Sequence, residues 1–449
     1  MNLPKQFTDK MERLLGTEFE SFIKSFSLPA QKGVTLNISR LDKETFESVA
    51  DFEYERLPFV DNGYKVGSFR FGMHVLNHLG IIYSQEPSAM YPVELLDVKP
   101  NDICLDVCAS PGGKSIQILE KLNNTGLLIS NEIVYSRAKI LDENISKMGF
   151  ENNIITCESS ENLKTLNMQF DKILVDAPCG AEGMMRKSNF DMFDYNPQMI
   201  PANADRQLEI LNNIKGLLKV GGTLVYSTCT YDILENENVI ARFLNDNPDF
   251  EIVKNDKFVS LLRSGIKVDN CDTEYGYRIY PHLNLGEGQF MIALTKIGES
   301  EPDIYPKKTT IKSMVELSAN ELKIVKNTLK CFKLDNPHFL KKGDDIYLVP
   351  KITVNLKNLN VITLGVQVGT LQKNILKISH EFYHTCGVYC ENKLELTLEQ
   401  VQKYLHGDEI DTDLTNGTTL VTTYLNCVLG GGKVVNGKIK NYYKKNLRI

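Results

Sequence analysis

Residues 102–115 read DICLDVCASPGGKS. Ile103, Leu105 and Val107 alternate as in a buried strand, Ser110-Pro111-Gly112-Gly113 marks a tight turn, and a helical pattern starts near Lys114. The stretch closes on Gly-Lys-Ser, the ending of a phosphate-binding P-loop. Such a loop also needs a glycine five residues before the glycine of that triplet, and that position is Cys108. The dinucleotide fingerprint G-x-G-x-x-G fails too, because the two glycines here are adjacent. What is left is a strand, a turn that lets a ligand lie close to the backbone, and a helix N-terminus to receive it.

The surrounding sequence repeats this unit. Strand patterns TGLLISNE, NIITC, FDKILVDAP and GGTLVYSTCT follow, separated by helical patterns such as YSRAKILDENISKMG and ADRQLEILNNIKGLLKV. Apolar strands alternating with amphipathic helices predict an α/β, Rossmann-like, largely parallel sheet covered on both faces. Glu132 ends the second strand, where a carboxylate can take the two hydroxyls of a ribose. A cofactor with a nucleoside but no triphosphate fits that pattern, and S-adenosylmethionine is the obvious candidate. The α/β domain is expected over 71–298, closed by YGYRIYPHL and QFMIALTKI joined through LGEG. Residues 1–70 predict a small α+β extension. The polar, proline-bearing IGESEPDIYPKKTT contains a linker at 299–310, and 311–449 alternates short strands and helices as a mixed α+β region.

Composition sets the class. A chain of 449 residues suggests about three domains, and 42% hydrophobic with 24% charged residues is ordinary for a globular protein. The start lacks the unbroken apolar core of a signal peptide, and no segment has the length of a membrane span. A cytoplasmic location without a membrane partner is the expectation. Several of the ten cysteines, such as Cys104, Cys108 and Cys157, sit in apolar strand-like runs, as reduced thiols do. A net charge of −6 argues against a surface coated in phosphate-binding groups. The tail KVVNGKIKNYYKKNLRI runs against that average, with Lys433, Lys438, Lys440, Lys444, Lys445 and Arg448 and no acidic residue. With Tyr442 and Tyr443 among them, it reads either as a nucleic-acid contact or as a solvated basic terminus.

CASPGGK, DAPCGAEGMMRK, the run 197–230 ending in YSTCT, and RIYPH followed by GEG occur in this order. Together they resemble the RNA cytosine-5 methyltransferases of the NOL1/NOP2/sun family. YSQEPSAMYPVELL and NGKIKNYYKKNLR are similar, more narrowly, to its bacterial RsmF type, which acts on 16S rRNA. The resemblance spans nearly the whole chain. It implies a class I S-adenosylmethionine methyltransferase sheet flanked by RNA-gripping parts, with a PUA-like module within about 380–449. The implied partner of the monomeric enzyme is small-subunit rRNA or the 30S subunit.

Cytosine C5 attacks a methyl sulfonium only after a thiolate adds to C6 and turns the ring into an enamine. The C5 proton must then leave and the thiolate be expelled. Cys179 and Cys229 follow the fourth and fifth strands, which lie side by side in a doubly wound sheet and end in the ligand crevice. The two thiols should therefore face one another, and chemistry alone leaves open which attacks. In DNA cytosine-5 methyltransferases it is the Pro-Cys thiol, the counterpart of Cys179. The resemblance instead makes Cys229 the nucleophile and Cys179 the release residue. It also puts Asp176 near the cytosine N3 and the cofactor, while Lys114 lowers a thiol pKa or holds a phosphate. It assigns the cofactor to Cys108, Ala109, Ser110, Pro111, Gly112, Gly113, Lys114 and Glu132, with Ser159, beside Glu158, at the adenine position. RNA falls to Lys187, Lys433, Lys440, Tyr442, Lys444 and Lys445. Two rival readings use the same residues: a catalytically silent RNA-binding ribosome assembly factor, in which both cysteines are small buried residues, and a nucleotidase using Gly113-Lys114-Ser115.

The chain departs from the family pattern in places. Ser110 replaces a second alanine, a change that keeps the turn. Gly431, in LGGGK, stands where the family often carries a tryptophan, and the chain has no Trp; Tyr424, Tyr442 or Tyr443 would have to take over its stacking. HEFYHTCGVYC offers His380, His384, Cys386 and Cys390 as zinc donors, but all lie in one short stretch interrupted by Gly387, so no metal is expected. His282 reads as a loop residue bordering the site.

Overall fold

The structure, a computed structural model, describes residues 3–187, 195–299, 306 and 308–449. Most of the linker expected at 299–310 lies outside the described residues.

The central sheet is built from β1 (Ile103–Asp106), β2 (Leu127–Asn131), β3 (Asn153–Thr156), β4 (Phe170–Asp176), β5 (Leu218–Thr228), β6 (Tyr277–Ile279) and β7 (Gln289–Lys296). Their spatial order is β3-β2-β1-β4-β5-β7-β6, with β1–β5 parallel and β7 antiparallel to β5. Alternate residues feed two separate cores: Leu105, Ile129 and Ile173 pack on one face, Cys104, Leu128 and Leu174 on the other. That two-sided burial is why these strands read as unbroken apolar runs. Helices α1 (Gly113–Leu122), α2 (Tyr135–Met148), α3 (Ile200–Ile214) and α4 (Glu237–Asp246) cover the faces. Between β1 and α1 the chain turns at Gly112, whose φ of 119° is open to glycine and strained for any other residue.

Some short strands and one pairing escape a reading of the sequence. The stretch DNGYKVGSFRFG looks like a connection, yet Gly63–Val66 is the second strand of an N-terminal antiparallel sheet ordered Tyr54–Arg56, Gly63–Val66, Lys32–Leu36, Ile82–Ser84. That sheet thus runs past residue 70. The unforeseen pairing is that of β8 (Val361–Leu364), within the segment VNLKNLNVITLGVQVGT of the C-terminal region: it joins β3 antiparallel and lengthens the central sheet. Flanking bonds from the Cys157 amide to the Asn360 carbonyl (2.9 Å) and from the Gly365 amide to the Asn153 carbonyl (2.8 Å) fasten it. Without β8, β3 would present bare amides and carbonyls at an edge.

The C-terminal region holds two further sheets of five strands each, one within 315–378 and one within 393–441. The second shares a core with the N-terminal sheet, where Val34, Leu36 and Tyr64 pack with Tyr404, Leu420 and Ile439. Among the described residues, no helix is long and apolar enough to cross a membrane.

Candidate active site

Parallel pairing of β4 with β5 puts Asp176 opposite Ser227, so the loops after both strands leave the same edge of the sheet. Cys179 and Cys229 meet there, with 3.4 Å between their sulfurs. The Gly183 amide donates to the Cys229 carbonyl at 2.8 Å. On the other side, the Glu235 carboxylate accepts the Gly180 amide at 3.0 and 3.1 Å, and Gln207 of α3 donates to both Glu235 and the Pro178 carbonyl at 2.9 Å. Burial pushes Glu235 up to about 7, against the pull of its bonds from Gln207 and Gly180. The Cys179 thiol is pushed well above the ordinary range, first by its hydrogen bond to Cys229 and then by burial. Cys179 therefore resists losing its proton, and the two sulfurs lie within hydrogen-bonding distance of each other.

Asp176 is held by three donors. Lys114 Nζ reaches one oxygen at 2.7 Å, while Ser227 Oγ (2.7 Å) and Gln289 Nε2 (3.1 Å) share the other. Burial pulls the Lys114 pKa down, but the charge and hydrogen bond of Asp176, with Cys229 nearby, hold it above an ordinary lysine. Lys114 is thus a fixed cation beside the cysteine pair. Ser227 and Gln289 do not stand out in the sequence as site residues. Ser227 stands two residues before Cys229 in the strand period, and Gln289 directly follows the GEG motif, which is the signal each offered.

The loop 108–113 is tied on several sides. The Ala109 amide donates to the Asn131 carbonyl (2.8 Å), and Asn131 Nδ2 donates to the carbonyls of Val107 (3.1 Å) and Glu158 (2.9 Å), joining the ends of β1, β2 and β3. Ser110 Oγ donates to the Arg137 carbonyl (3.1 Å) and the Pro111 carbonyl accepts Asn144 Nδ2 (2.8 Å), so the turn, with its cis Ser110–Pro111 peptide, rests on α2. Beneath it Asp106 is fully buried, takes the Ser115 hydroxyl at 2.7 Å on one oxygen, and has no partner for the other. Burial pushes Asp106 up to about 7. Glu132 is buried, accepts the Val134 amide at 3.0 Å and has Arg137 at 3.5 Å. An orphaned acidic oxygen under an open turn and a buried acid at the ribose position suit a cationic, nucleoside-bearing cofactor. They do not suit a triphosphate, and the Lys114 and Ser115 that a P-loop would need are committed to Asp176 and Asp106. Past β3, Glu158 accepts the Asn360 amide (2.6 Å) and Asn162 Nδ2 (2.7 Å), while Ser159 caps the short helix Ser160–Leu163.

Comparison with known proteins accords with this geometry. The family described as 16S rRNA methyltransferase RsmB/F matches residues 93–295, the N-terminal domain of 16S rRNA methyltransferase RsmF matches 3–87, and the methyltransferase RsmF PUA domain matches 391–449. Ribosomal RNA small subunit methyltransferase F of Psychromonas ingrahamii is 30% identical, over 99% of this chain and 97% of that protein. The chain belongs to the RsmF family. The Vibrio campbellii member is 28% identical over the same shares of both chains. Among solved structures, a methyltransferase homolog protein from Pyrococcus horikoshii is 27% identical with a TM-score of 0.58, covering 66% of this chain and 96% of that one. NSun6 from Pyrococcus horikoshii with SFG has a TM-score of 0.58 at 20% identity, over 66% of this chain and 99% of that one, and shares the fold. The protein is therefore an RsmF-like enzyme of the NOL1/NOP2/sun type, an S-adenosylmethionine-dependent rRNA methyltransferase with a Rossmann-like catalytic sheet and a PUA-like C-terminal domain.

The residues expected to meet RNA are spread over the chain. Lys187 ends the described part of the loop that carries Cys179. Lys433 and Lys440 stand directly opposite one another on paired strands of the PUA-like sheet and are both exposed, as are Tyr442 and Lys445. Lys444 is engaged with Glu381 at 2.6 Å. Tyr443 is buried, with its hydroxyl 2.8 Å from His78, so this tail is part of a folded sheet and its neighbours. A side chain at Gly431 would put its Cβ 2.1 Å from the Tyr383 ring, which fills the space. His384 bonds the Lys147 carbonyl at 2.8 Å, and among the described residues no group of side chains is placed to hold a metal. His282 pairs with Glu18 of the N-terminal extension at 2.8 Å.

Proposed function

We propose that this enzyme methylates C5 of a cytosine in small-subunit rRNA, with Cys229 as nucleophile and Cys179 as the residue that serves release. The observation that carries the reading is the 3.4 Å contact between the two sulfurs, with the Lys114–Asp176 pair alongside. Burial and its bond to Cys229 make Cys179 the harder of the two to use as a thiolate, which suits it to release and gives the attack on C6 to Cys229. Asp176, fixed by Ser227, Gln289 and Lys114, meets the cytosine near N3 and favours the protonated ring that accepts the thiolate. S-adenosylmethionine, held by the loop 108–113, Glu132 and Asp176 with Ser159 on the adenine side, supplies the methyl group. A base then takes the C5 proton, the freed electron pair re-forms the C5–C6 double bond, and the Cys229 sulfur leaves C6 as a thiolate with the Cys179 thiol beside it.

The domain built on the central sheet performs this chemistry, and the N-terminal extension, whose sheet runs to Ser84, and the C-terminal region help grip RNA, with contacts that include Lys187, Lys433, Lys440, Tyr442, Lys444 and Lys445. The target base must be unstacked to expose C6. The protein works as a cytoplasmic monomer on rRNA or the 30S subunit.

The test mixes 16S rRNA and S-adenosylmethionine with wild type, Cys179→Ala and Cys229→Ala, and follows methyl transfer and a denaturation-resistant protein–RNA band. Cys179→Ala should accumulate the band, and Cys229→Ala should give neither band nor methylation. The opposite pattern would move the nucleophile to Cys179. An absence of transfer by all three proteins would favour an RNA-binding assembly factor.

A further inference from the structure

We propose that Lys10, on the N-terminal extension, is a positioning residue for methyl transfer, clamping together the loops that carry Cys179 and Cys229. The helix Lys5–Leu15 packs Phe7 and Met11 into a buried cluster with Phe22, Met185, Tyr231 and Tyr280, and so lies across both loops. From it Lys10 Nζ bonds Glu182, three residues after Cys179, and Asp232, three residues after Cys229, the latter at 2.8 Å. Glu182 is 1% exposed and also takes the Thr230 hydroxyl (3.0 Å) and the Tyr231 amide (3.1 Å). A carboxylate of the first loop is thereby buried inside the second, with Lys10 as its cation.

A buried carboxylate stripped of its cation must take a proton or turn toward water. Either movement pulls on Thr230 and Tyr231, which adjoin Cys229, and on the Gly183 amide that holds the Cys229 carbonyl. The separation of the two sulfurs then drifts. None of the partners of Lys10 belongs to the loop 108–113 or to Glu132, so cofactor binding lies outside the effect. The inference rests on the roles given above to Cys179 and Cys229, which the test examines separately.

The experiment compares full-length wild type, Lys10→Met, Lys10→Arg and Lys10→Met/Glu182→Gln on 16S rRNA. Lys10→Met should lower kcat about 10- to 100-fold, the scale of a small misplacement of reacting groups, with KM for S-adenosylmethionine within about twofold of wild type. Lys10→Arg should keep most activity, and the double variant should recover part of it, because a neutral amide needs no cation. In a Cys179→Ala background, Lys10→Met should slow appearance of the covalent band by a similar factor. An unchanged kcat with a raised KM for RNA and a shallower salt dependence would make Lys10 a phosphate contact and overturn the clamp. So would a folded double variant as slow as Lys10→Met, or an unslowed band. If Cys179→Ala with Lys10 intact traps no band, the cysteine roles fail instead, whatever Lys10→Met does to kcat.

Discussion

At Gly431 the chain gives up the tryptophan that similar modules often carry, and the reason is one ring. Tyr383 occupies the volume a side chain would need, and the Tyr404 hydroxyl donates to the Gly431 carbonyl at 2.8 Å from the other direction. Gly431→Ala should therefore destabilise the protein by about 1–3 kcal/mol, the usual cost of overpacking. Thermal unfolding of Gly431→Ala, Tyr383→Ala and the double variant checks this: the double variant should lose less than the sum of the two, and strict additivity would sink the explanation. Residues of this kind separate what a sequence discloses from what it hides. Cys179, Cys229, Asp176 and Lys114 are legible because each stands at a strand end or helix start beside proline, glycine or threonine. Their partners are not. Glu235, Gln207 and Gln289 are ordinary polar residues until the fold brings them in, and Lys10 lies 172 residues from Glu182. No local pattern encodes such a meeting.

The same division holds for elements. The strands β1–β5 announce themselves because both their faces are buried, which forces long apolar runs bounded by turns. Gly63–Val66 is short and lies in a glycine-bearing stretch that masks it, and the apolar run of β8 does not disclose that its partner is β3. The strand β8 closes the β3 edge, and the residue just before it, Asn360, donates its amide to Glu158 at 2.6 Å, beside the cofactor end of the sheet. Thr363 lies two residues before Gly365, whose amide bonds Asn153, so its own amide points the same way; its hydroxyl donates to Asp142 of α2 at 2.7 Å. Thr363→Pro should remove a ladder bond and destabilise the protein by about 3 kcal/mol or more. Through Asn360 and Glu158 it should also weaken S-adenosylmethionine binding, measured by calorimetric titration, whereas Thr363→Val should leave that binding intact. Equal cofactor affinity in folded Thr363→Pro would uncouple β8 from the site.

At the scale of the whole molecule, three modules meet at one seam. Arg40, on the N-terminal extension, lies over Gly149, where a Cβ would come within 1.8 Å of its Nη2. It donates to the carbonyls of Met148 (2.9 Å) from the catalytic domain, Leu79 (3.0 Å), and His384 (3.0 Å) from the C-terminal region. Burial lowers this guanidinium to about 10. Beside it a cavity of about 530 Å³ is lined by His78, His380, His384, Lys147, Asp142, Glu381, Tyr443 and Lys444. His78 is pushed down to about 4 by burial and then by Lys147. Burial also takes His380 to about 4, with Lys444, Arg40 and His78 adding to it against Glu381. His384 is driven well below its ordinary value by burial, Arg40 and His380. All three are thus neutral when folded, whereas an unfolded histidine protonates near about 6.5. Between about pH 6.5 and about pH 4 the unfolded chain binds more protons, so their contribution is complete above that window and is lost as pH falls through it. Asp106, Glu120 and Glu235, raised to about 7 by burial, act in the opposite sense across nearly the whole window and up to about pH 7, so the raw stability curve mixes both. His380→Gln isolates the histidine term. In urea unfolding, the stability gap between variant and wild type should be constant above about pH 7 and shift toward the variant as pH falls to about 4.5. A gap that stays level across that range would mean His380 titrates in the folded protein as it does in the unfolded chain, and the seam would not be the acid-sensitive joint between the modules.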